Sequence, residues 1–308
     1  MEGPAALIGI DWGTTSFRAW RIDATGNLLE TRAAAAGILR VPGSAFEAAL
    51  EREIGDWLEA GPQPPLIASG MITSRQGWVE VPYCPCPAGS AEIAHGLVSH
   101  RTGKARKIHF VPGLSLVGDD GVPDVMRGEE TQILGELGES REPRLMVLPG
   151  THSKWALAQN GRIVWFATFM TGEVYGVLVQ HSILGRMMQG EAQDEPAFLQ
   201  GVAYARTGGG GVLKKLFSAR TLGLLERLPG EAVGSYLSGL LIGAEIAGAI
   251  ECVAASGAMA EITVIGESAL AERYRIALDA AGLPARRAAD QASARGHVVI
   301  ARAAGLLP

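Results

Sequence analysis

One pattern occurs twice in this chain, and it narrows the available folds more than any other feature. The segment LIGIDWGTTSFRAWRIDATGNLLETRAA opens with an apolar run, Leu7 to Ile10, that suits a buried strand. Asp11 ends the run, a residue that is costly to leave unpaired inside a protein. Gly13 to Ser16 supply a flexible turn with three hydroxyls, Phe17 to Ile22 read as a second strand, and a Thr25-Gly26-Asn27 turn leads to a third from Leu28. The same order returns in RLMVLPGTHSKWALAQNGRIVWFATFMTG. Here Leu145 to Leu148, Trp155 to Ala158 and Arg162 to Phe169 read as strands, joined by Gly150-Thr151-His152-Ser153 and by the hairpin turn Asn160-Gly161.

Aligned on glycine, Gly13-Thr14-Thr15-Ser16 corresponds to Gly150-Thr151-His152-Ser153. Two β-meanders of one design, half a chain apart, point to duplicated domains facing each other across a cleft. Tips of this kind suit phosphate, because glycine lets backbone N–H groups approach an anion and hydroxyls add donors. The expected phosphate contacts are Gly13, Thr14 and Thr15 on one tip and Gly150, Thr151 and Ser153 on the other. Asp11 would face the same site and hold Mg²⁺ through water, since Mg²⁺ dehydrates reluctantly. Leu148 stands where the second copy would carry a matching acid, so one metal-holding carboxylate is expected, not two. Lys154 either adds charge near the phosphates or is a solvated strand residue.

Composition excludes several other classes. The 308 residues are 47% hydrophobic and 19% charged, enough to bury a real core. With a net charge of −5 and no long basic run, nucleic acid is not the expected partner. Three cysteines are too few for a disulfide framework and fit free thiols in a reducing cytoplasm. No signal peptide is read at the N-terminus. The long apolar stretch SYLSGLLIGAEIAGAIECVAASGAM contains Glu245 and Glu251, which predicts a buried core helix rather than a membrane span.

Between the two meanders, Phe46, Leu50, Ile54, Trp57 and Leu58 have helical spacing. Leu66 to Ser69 is a short strand followed by a polar cluster, the place where α/β proteins hold ligands. Within it Ser74, Arg75, Gln76 and Trp78 are candidate substrate contacts. The planar fork of Arg75 suits a carboxylate, or else forms a surface ion pair. In PDVMRGEETQILGELG, Asp124 is expected at the start of a helix, as an N-cap or as a general base. Arg127, Glu129 and Glu130 then line the same pocket or form a solvated first turn. Late in the chain EITVIGESALAERYRIAL reads strand, Gly266-Glu267 turn, helix, with room for the flat ring of a nucleotide.

The order of these pieces resembles the actin-like, hexokinase-type ATPases: first hairpin, acidic helix start, second hairpin, late turn. The implied fold class is α/β, with two actin-like (ribonuclease H-like) domains around a nucleotide cleft, each a mixed β-sheet flanked by helices. Domains of residues 1–143 and 144–308 are expected, with a last helix around Val298 to Leu307 crossing back onto the first. The strings MITSRQGWVEVPYCPCPA, PDVMRGEETQILG, LPGTHSKW and TFMTGEVYGVLVQHSILG look like the 2-dehydro-3-deoxygalactonokinase family across nearly the whole chain. That resemblance implies a cytoplasmic kinase that uses ATP and Mg²⁺ to phosphorylate the 6-hydroxyl of 2-dehydro-3-deoxy-D-galactonate in D-galactonate breakdown. It implies a small-molecule sugar acid as the partner, no membrane, and room for a homodimer. It makes Asp124 the catalytic base, Ser74, Arg75, Gln76, Trp78 and Arg127 the substrate residues, and Gly266 and Glu267 the adenosine turn. Thr73 departs from the family, where a small residue such as Gly is expected. Alternatives are a kinase for another 2-keto-3-deoxy sugar acid and an actin-like ATPase with no acceptor.

Overall fold

The first apolar run forms β1 (Leu7–Trp12), buried at every position. The computed structural model to which it belongs describes residues 4–59, 63–118, 120–190, 193–255, 261–266 and 268–308. Successive side chains of a strand point to opposite faces, and β1 uses both. Ile8, Ile10 and Trp12 enter one apolar cluster, while Gly9 and Asp11 face the other way.

β2 (Phe17–Ile22) and β3 (Leu28–Ala34) extend β1 as an antiparallel meander. The amphipathic α1 (Phe46–Glu59) buries Phe46, Leu50, Ile54, Trp57 and Leu58 against Ile8, Ile10 and Trp12. β4 (Leu66–Ser69) then returns parallel to β1, with Asp11 opposite Ser69. After β5 (Cys84–Pro85), β6 (Ala88–Gly89) and α2 (Ser90–His95) come β7 (Val98–Arg101) and β8 (Lys107–Phe110). The resulting mixed sheet has the order β3-β2-β1-β4-β8-β7. A small second sheet joins β5 to β9 (Leu114–Val117) and β10 (Pro123–Met126), and α3 (Glu129–Leu137) follows.

The second meander is β11 (Arg144–Leu148), β12 (Ser153–Gln159) and β13 (Arg162–Phe169). Its Asn160-Gly161 turn has both residues at positive φ, +53° and +74°, as a tight hairpin of this hand requires. Helices α4 (Thr171–His181), α5 (Glu195–Arg206), α6 (Gly211–Leu216), α7 (Ser218–Leu224) and α8 (Val233–Ala255) precede β14 (Glu261–Val264), α9 (Ser268–Ala280) and β15 (Ala285–Arg287). β14 lies parallel to β11 on one side and β15 on the other. Among the described residues, α8 is the one helix long and apolar enough to cross a membrane. It is instead a core helix, with Tyr236, Leu237, Leu240 and Leu241 packed among Ala197 and Ala205 of α5.

The chain divides into two compact units, Met1–Glu142 with Ala158–Phe166 and Ala289–Pro308, and Pro143–Leu157 with Ala167–Ala288. The tip of the β12–β13 hairpin thus groups with the first unit, where Arg162 and Ile163 pair with β6. The last helix, α10 (Ala292–Ala303), also belongs to the first unit and starts six residues before the expected Val298. Its early turns carry Ser293 and His297 on a buried face, so hydrophobic spacing alone starts the helix too late.

α10 packs on α3 backbone to backbone. A Cβ on Gly296 would stand 1.8 Å from the Thr131 carbonyl oxygen, and one on Gly135 would stand 1.9 Å from that of Ala292. Alanine in place of a helical glycine gains about 1 kcal/mol in propensity. Here that gain meets fixed backbone atoms, and overpacking costs about 1–3 kcal/mol or more. Gly296→Ala is therefore expected to lower the urea midpoint; an unchanged or raised midpoint would show that the two helices separate freely.

Candidate active site

The first hairpin tip is tied down through its carbonyls. Ser16 O accepts from Gly13 N–H (2.9 Å), Gly13 O from Ile38 N–H (3.0 Å), Thr15 O from Gly37 N–H (3.1 Å) and Thr14 O from Leu39 N–H (3.3 Å). The N–H groups of Thr14, Thr15 and Ser16 donate to no other described residue, and all three side chains are exposed. What the tip offers is consecutive donors, the chemistry an anion needs. Gly37 makes this possible, since a Cβ there would lie 2.3 Å from Thr14 O.

Asp11 is buried beside this tip at the end of β1. Its Oδ2 accepts from Arg18 (3.1 Å) and from Ser293 Oγ (3.0 Å). Its Oδ1 accepts from no other described residue, and faces the backbone of Gly70: a Cβ there would come within 3.1 Å of it. Gly70 is at φ +90° and Gly128 at φ +106°, and a Cβ on Gly128 would lie 3.1 Å from Gly70 Cα. These two glycines bring the start of α3 against the loop that follows β4.

The structure corrects the position of Asp124. Pro123–Met126 is a strand, β10, paired with β9, and the helix begins only at Glu129 with Gly128 as its cap. Val125 and Met126 favour the strand, and Gly128 with positive φ supplies the turn that ends it. Asp124 is half-buried on that strand and accepts from the Val125 N–H (2.7 Å). The acid at the helix start is Glu129, half-buried, whose Oε2 accepts from the Arg127 N–H (3.0 Å). Nor is this first turn solvated: Glu130 is wholly buried, holding the Gly128 N–H (2.6 Å) and the Thr131 hydroxyl (2.9 Å).

The expected substrate residues separate into two groups. Ser74, Arg75 and Gln76 form the outer turn of the loop after β4, with the Ser74 hydroxyl donating to Met71 O (2.7 Å). Arg75 and Gln76 are exposed, and the Arg75 guanidinium has no partner among the described residues. Trp78 and Arg127 instead build the loop from within. The Trp78 ring stacks on Phe46 and meets His100 and Phe110 edge-on. Arg127 donates to Thr73 O (2.7 Å), Thr73 Oγ1 (2.6 Å) and Val81 O (2.9 Å), and its guanidinium lies over Tyr83. The fork of Arg127 is spent on the protein itself. Thr73 has a structural role that glycine could not fill, because its buried hydroxyl links Gly70 O to Arg127.

In the second unit, Gly150 and Thr151 lie at the hairpin tip and Thr151 is exposed. Thr151 O accepts from the Glu173 N–H (3.0 Å) at the start of α4, and the Glu173 carboxylate holds His152. Gly266 lies two residues beyond β14, the parallel neighbour of β11, and a Cβ on it would be 3.7 Å from Pro149. The late turn and the second hairpin are thus neighbours at one sheet end; Glu267 lies outside the described residues. Ser153 is corrected: it is fully buried, and its hydroxyl meets Tyr274 OH (2.8 Å) rather than an open tip. Lys154 is not a solvated strand residue; it is buried and donates to Thr168 Oγ1 (2.7 Å).

Sequence reading missed Ser293, His297 and the Ser153–Tyr274–Glu245–Trp155 network. In that network Trp155 Nε1 (2.8 Å) and Tyr274 OH (2.7 Å) both donate to Glu245. Burial raises the pKa of Glu245. The one local sign of the α10 pair is a Ser and a His four residues apart, a spacing that puts both on one side of a helix.

Mixed β-sheets flanked by helices, with a donor-rich hairpin tip on the first unit, define a protein of the α/β class. Comparison with known proteins narrows the class. The family model described as 2-keto-3-deoxy-galactonokinase matches residues 11–300. The chain is 38% identical to the "Probable 2-dehydro-3-deoxygalactonokinase" of Rhizobium meliloti (strain 1021), with 96% of both chains covered. It is 37% identical to the 2-dehydro-3-deoxygalactonokinase of Escherichia coli (strain K12), over 90% of this chain and 91% of that one. A crystal structure from Sinorhizobium meliloti carrying the same enzyme name superimposes with a TM-score of 0.87 at 36% identity, covering 96% of this chain and 98% of that one. The fold alone is shared with component A of the Acidaminococcus fermentans (R)-2-hydroxyglutaryl-CoA dehydratase (TM-score 0.51, 10% identity, 96% and 95% covered). The chain belongs to the 2-keto-3-deoxy-galactonokinase family; it is a phosphotransferase that uses ATP on a sugar acid.

Burial, and next the charge of Glu129, raise the Glu130 carboxyl from the ordinary 4.5 to about 8. A carboxyl raised in the folded state contributes stability that is complete below pH 4.5 and lost as pH rises through about 8. The urea midpoint of the wild type should fall across that window, and Glu130→Gln should flatten the fall. Parallel profiles for the two proteins would show that Glu130 does not titrate there.

Proposed function

We propose that the chain transfers the γ-phosphoryl of ATP to the 6-hydroxyl of 2-dehydro-3-deoxy-D-galactonate, in the cytoplasmic breakdown of D-galactonate. The observation that carries this is the family match over residues 11–300, joined to a hairpin tip whose free backbone groups are N–H donors. The N–H groups and hydroxyls of Thr14, Thr15 and Ser16, with Gly13 shaping the turn, bind phosphate. On the second unit, Gly150, Thr151 and Gly266 serve the nucleotide, with Lys154 behind them. The exposed, unpaired Arg75 takes the carboxylate of the sugar acid, flanked by Ser74 and Gln76.

The residues fit Mg²⁺. Asp11 keeps Oδ1 open beside a glycine that has no Cβ to fill the space. Among the described residues no cluster of three or more His, Cys, Asp or Glu gathers for a metal. Asp11 would hold the ion, directly or through water, with phosphate and water among the other ligands. When bound, the ion neutralises charge on the transferring phosphoryl group.

The resemblance makes Asp124 the base, because an Asp sits at a helix start between the hairpins in kinases of that kind; the helix here starts at Glu129, which makes Glu129 a second candidate. Asp124 was the residue expected there, so the two are tested together. Glu129→Gln should lower kcat by about 10²- to 10⁴-fold with substrate binding kept, as loss of a positioned base does. If Asp124→Asn shows that loss instead, the base lies on β10. Arg75→Ala should raise KM for the sugar acid and leave KM for ATP unchanged; equal effects on both would place the carboxylate elsewhere. ADP release measured over a panel of 2-keto-3-deoxy sugar acids tests the substrate. A preferred epimer would reassign it, and release without any acceptor would sink the kinase reading.

A further inference from the structure

We infer that the C-terminal helix α10 carries positioning residues for the reaction: Ser293 fixes the Asp11 carboxylate directly, and His297 fixes the strand pair beneath it through Ser69. This rests on the reading of Asp11 as the metal-holding group and adds to it a control of the metal from the far end of the chain.

Residues opposite each other in a parallel ladder share a face, and Asp11 lies opposite Ser69. That face is the one α10 covers. The His297 ring packs on Gly9, two residues before Asp11, so closely that a Cβ there would be 2.7 Å from Nδ1. Ser293 and His297, four residues apart, project from one side of the helix. Ser293 Oγ donates to Asp11 Oδ2 at 3.0 Å, and His297 Nε2 meets Ser69 Oγ at 2.9 Å, both contacts buried. His297 Nδ1 is buried without a partner. A bare lone pair is cheaper there than a stranded N–H, so the proton sits on Nε2 and is donated to Ser69. Burial also pushes the His297 pKa down to about 3, so this donor keeps one protonation state at working pH.

The placement of α10 has little slack, because Gly296 and Gly135 lock its backbone against α3. Slack matters for an aspartate. Its χ2 torsion is broad and roughly two-fold, so a carboxylate held at one point can rotate. Arg18, whose side chain is 38% exposed, is the other partner of Oδ2 and reaches it from the solvent side. With Ser293 present, Oδ2 is pinned from two directions and Oδ1 is left toward Gly70. Without it, either oxygen can turn to Arg18, and the open ligand position is no longer defined.

The test is ATP binding to the full chain by calorimetry, with and without Mg²⁺ and with no sugar acid present. Ser293→Ala should lose about 10- to 100-fold of the affinity that Mg²⁺ adds, the usual effect of removing a partner of a metal ligand. Affinity without Mg²⁺ should stay the same, and Ser293→Thr should recover most of the loss. Ala is the better helix former, so the fold is expected to persist, and Ser69→Ala provides a second variant with a smaller loss of the same kind. A wild-type Mg²⁺ increment in Ser293→Ala, or an equal fall with and without Mg²⁺, would overturn the inference. Asp11→Asn separates the two levels. If it abolishes the increment while Ser293→Ala does not, only the positioning role fails. If it leaves the increment intact, the metal reading of Asp11 fails, and the role of Ser293 with it.

Discussion

A buried carboxylate with one oxygen left open is the constraint on which the first unit depends. Taking a charge out of water is expensive, and the protein offsets that with a cation and a hydroxyl placed on the same oxygen. The cation comes from the neighbouring strand of the hairpin, a single step across the ladder, where Asp11 pairs with Arg18. The hydroxyl comes from α10. Neither partner touches Oδ1, which is why the two glycines at 70 and 128 matter: they keep that side free of side chains while backbone closes in around it.

The second unit starts from the same turn and solves a different problem. Leu148 replaces the acid, so no charge needs to be held at the end of β11. Its buried carboxylate is Glu245 on α8, reached by Trp155 from β12 and Tyr274 from α9, with Ser153 one link further out. That network ties strand, core helix and last helix of the unit together from inside. The duplicated meanders therefore share backbone design and differ in chemistry, one leaving the hydroxyls of its tip exposed and the other spending Ser153 on its own core.

Local patterns in the sequence were enough for much of this. The meanders, the helical face of α1, the core character of α8 and the donor-rich first tip all follow from neighbours within a few residues. Three features did not. Asp124 looked like a helix cap because an acid before an apolar run is a common start signal; the positive-φ glycine four residues later, which ends the strand and starts the helix, outweighs it. Arg127 looked free because its partners are backbone carbonyls of Thr73 and Val81, which carry no sequence signature. Ser293 and His297 are polar residues on a buried face, and polarity there breaks the periodicity that announces a helix. Their partners lie 282 and 228 residues away.

Those separations bear on how the site assembles. A chain emerging from its N-terminus can form the β1–β2 hairpin and the Asp11–Arg18 pair early, since both are local. The face of β1 that carries Gly9 and Asp11 then lacks its cover until α10 is made. Non-local contacts form only after the entropy of closing a long loop has been met, so they come late. The carboxylate acquires its second partner, and Oδ1 its fixed direction, at the same step that covers that face of the sheet and interlocks Gly296 with Gly135. Completion of the fold and completion of the proposed metal position are in this way one event, set by a single helix at the end of the chain.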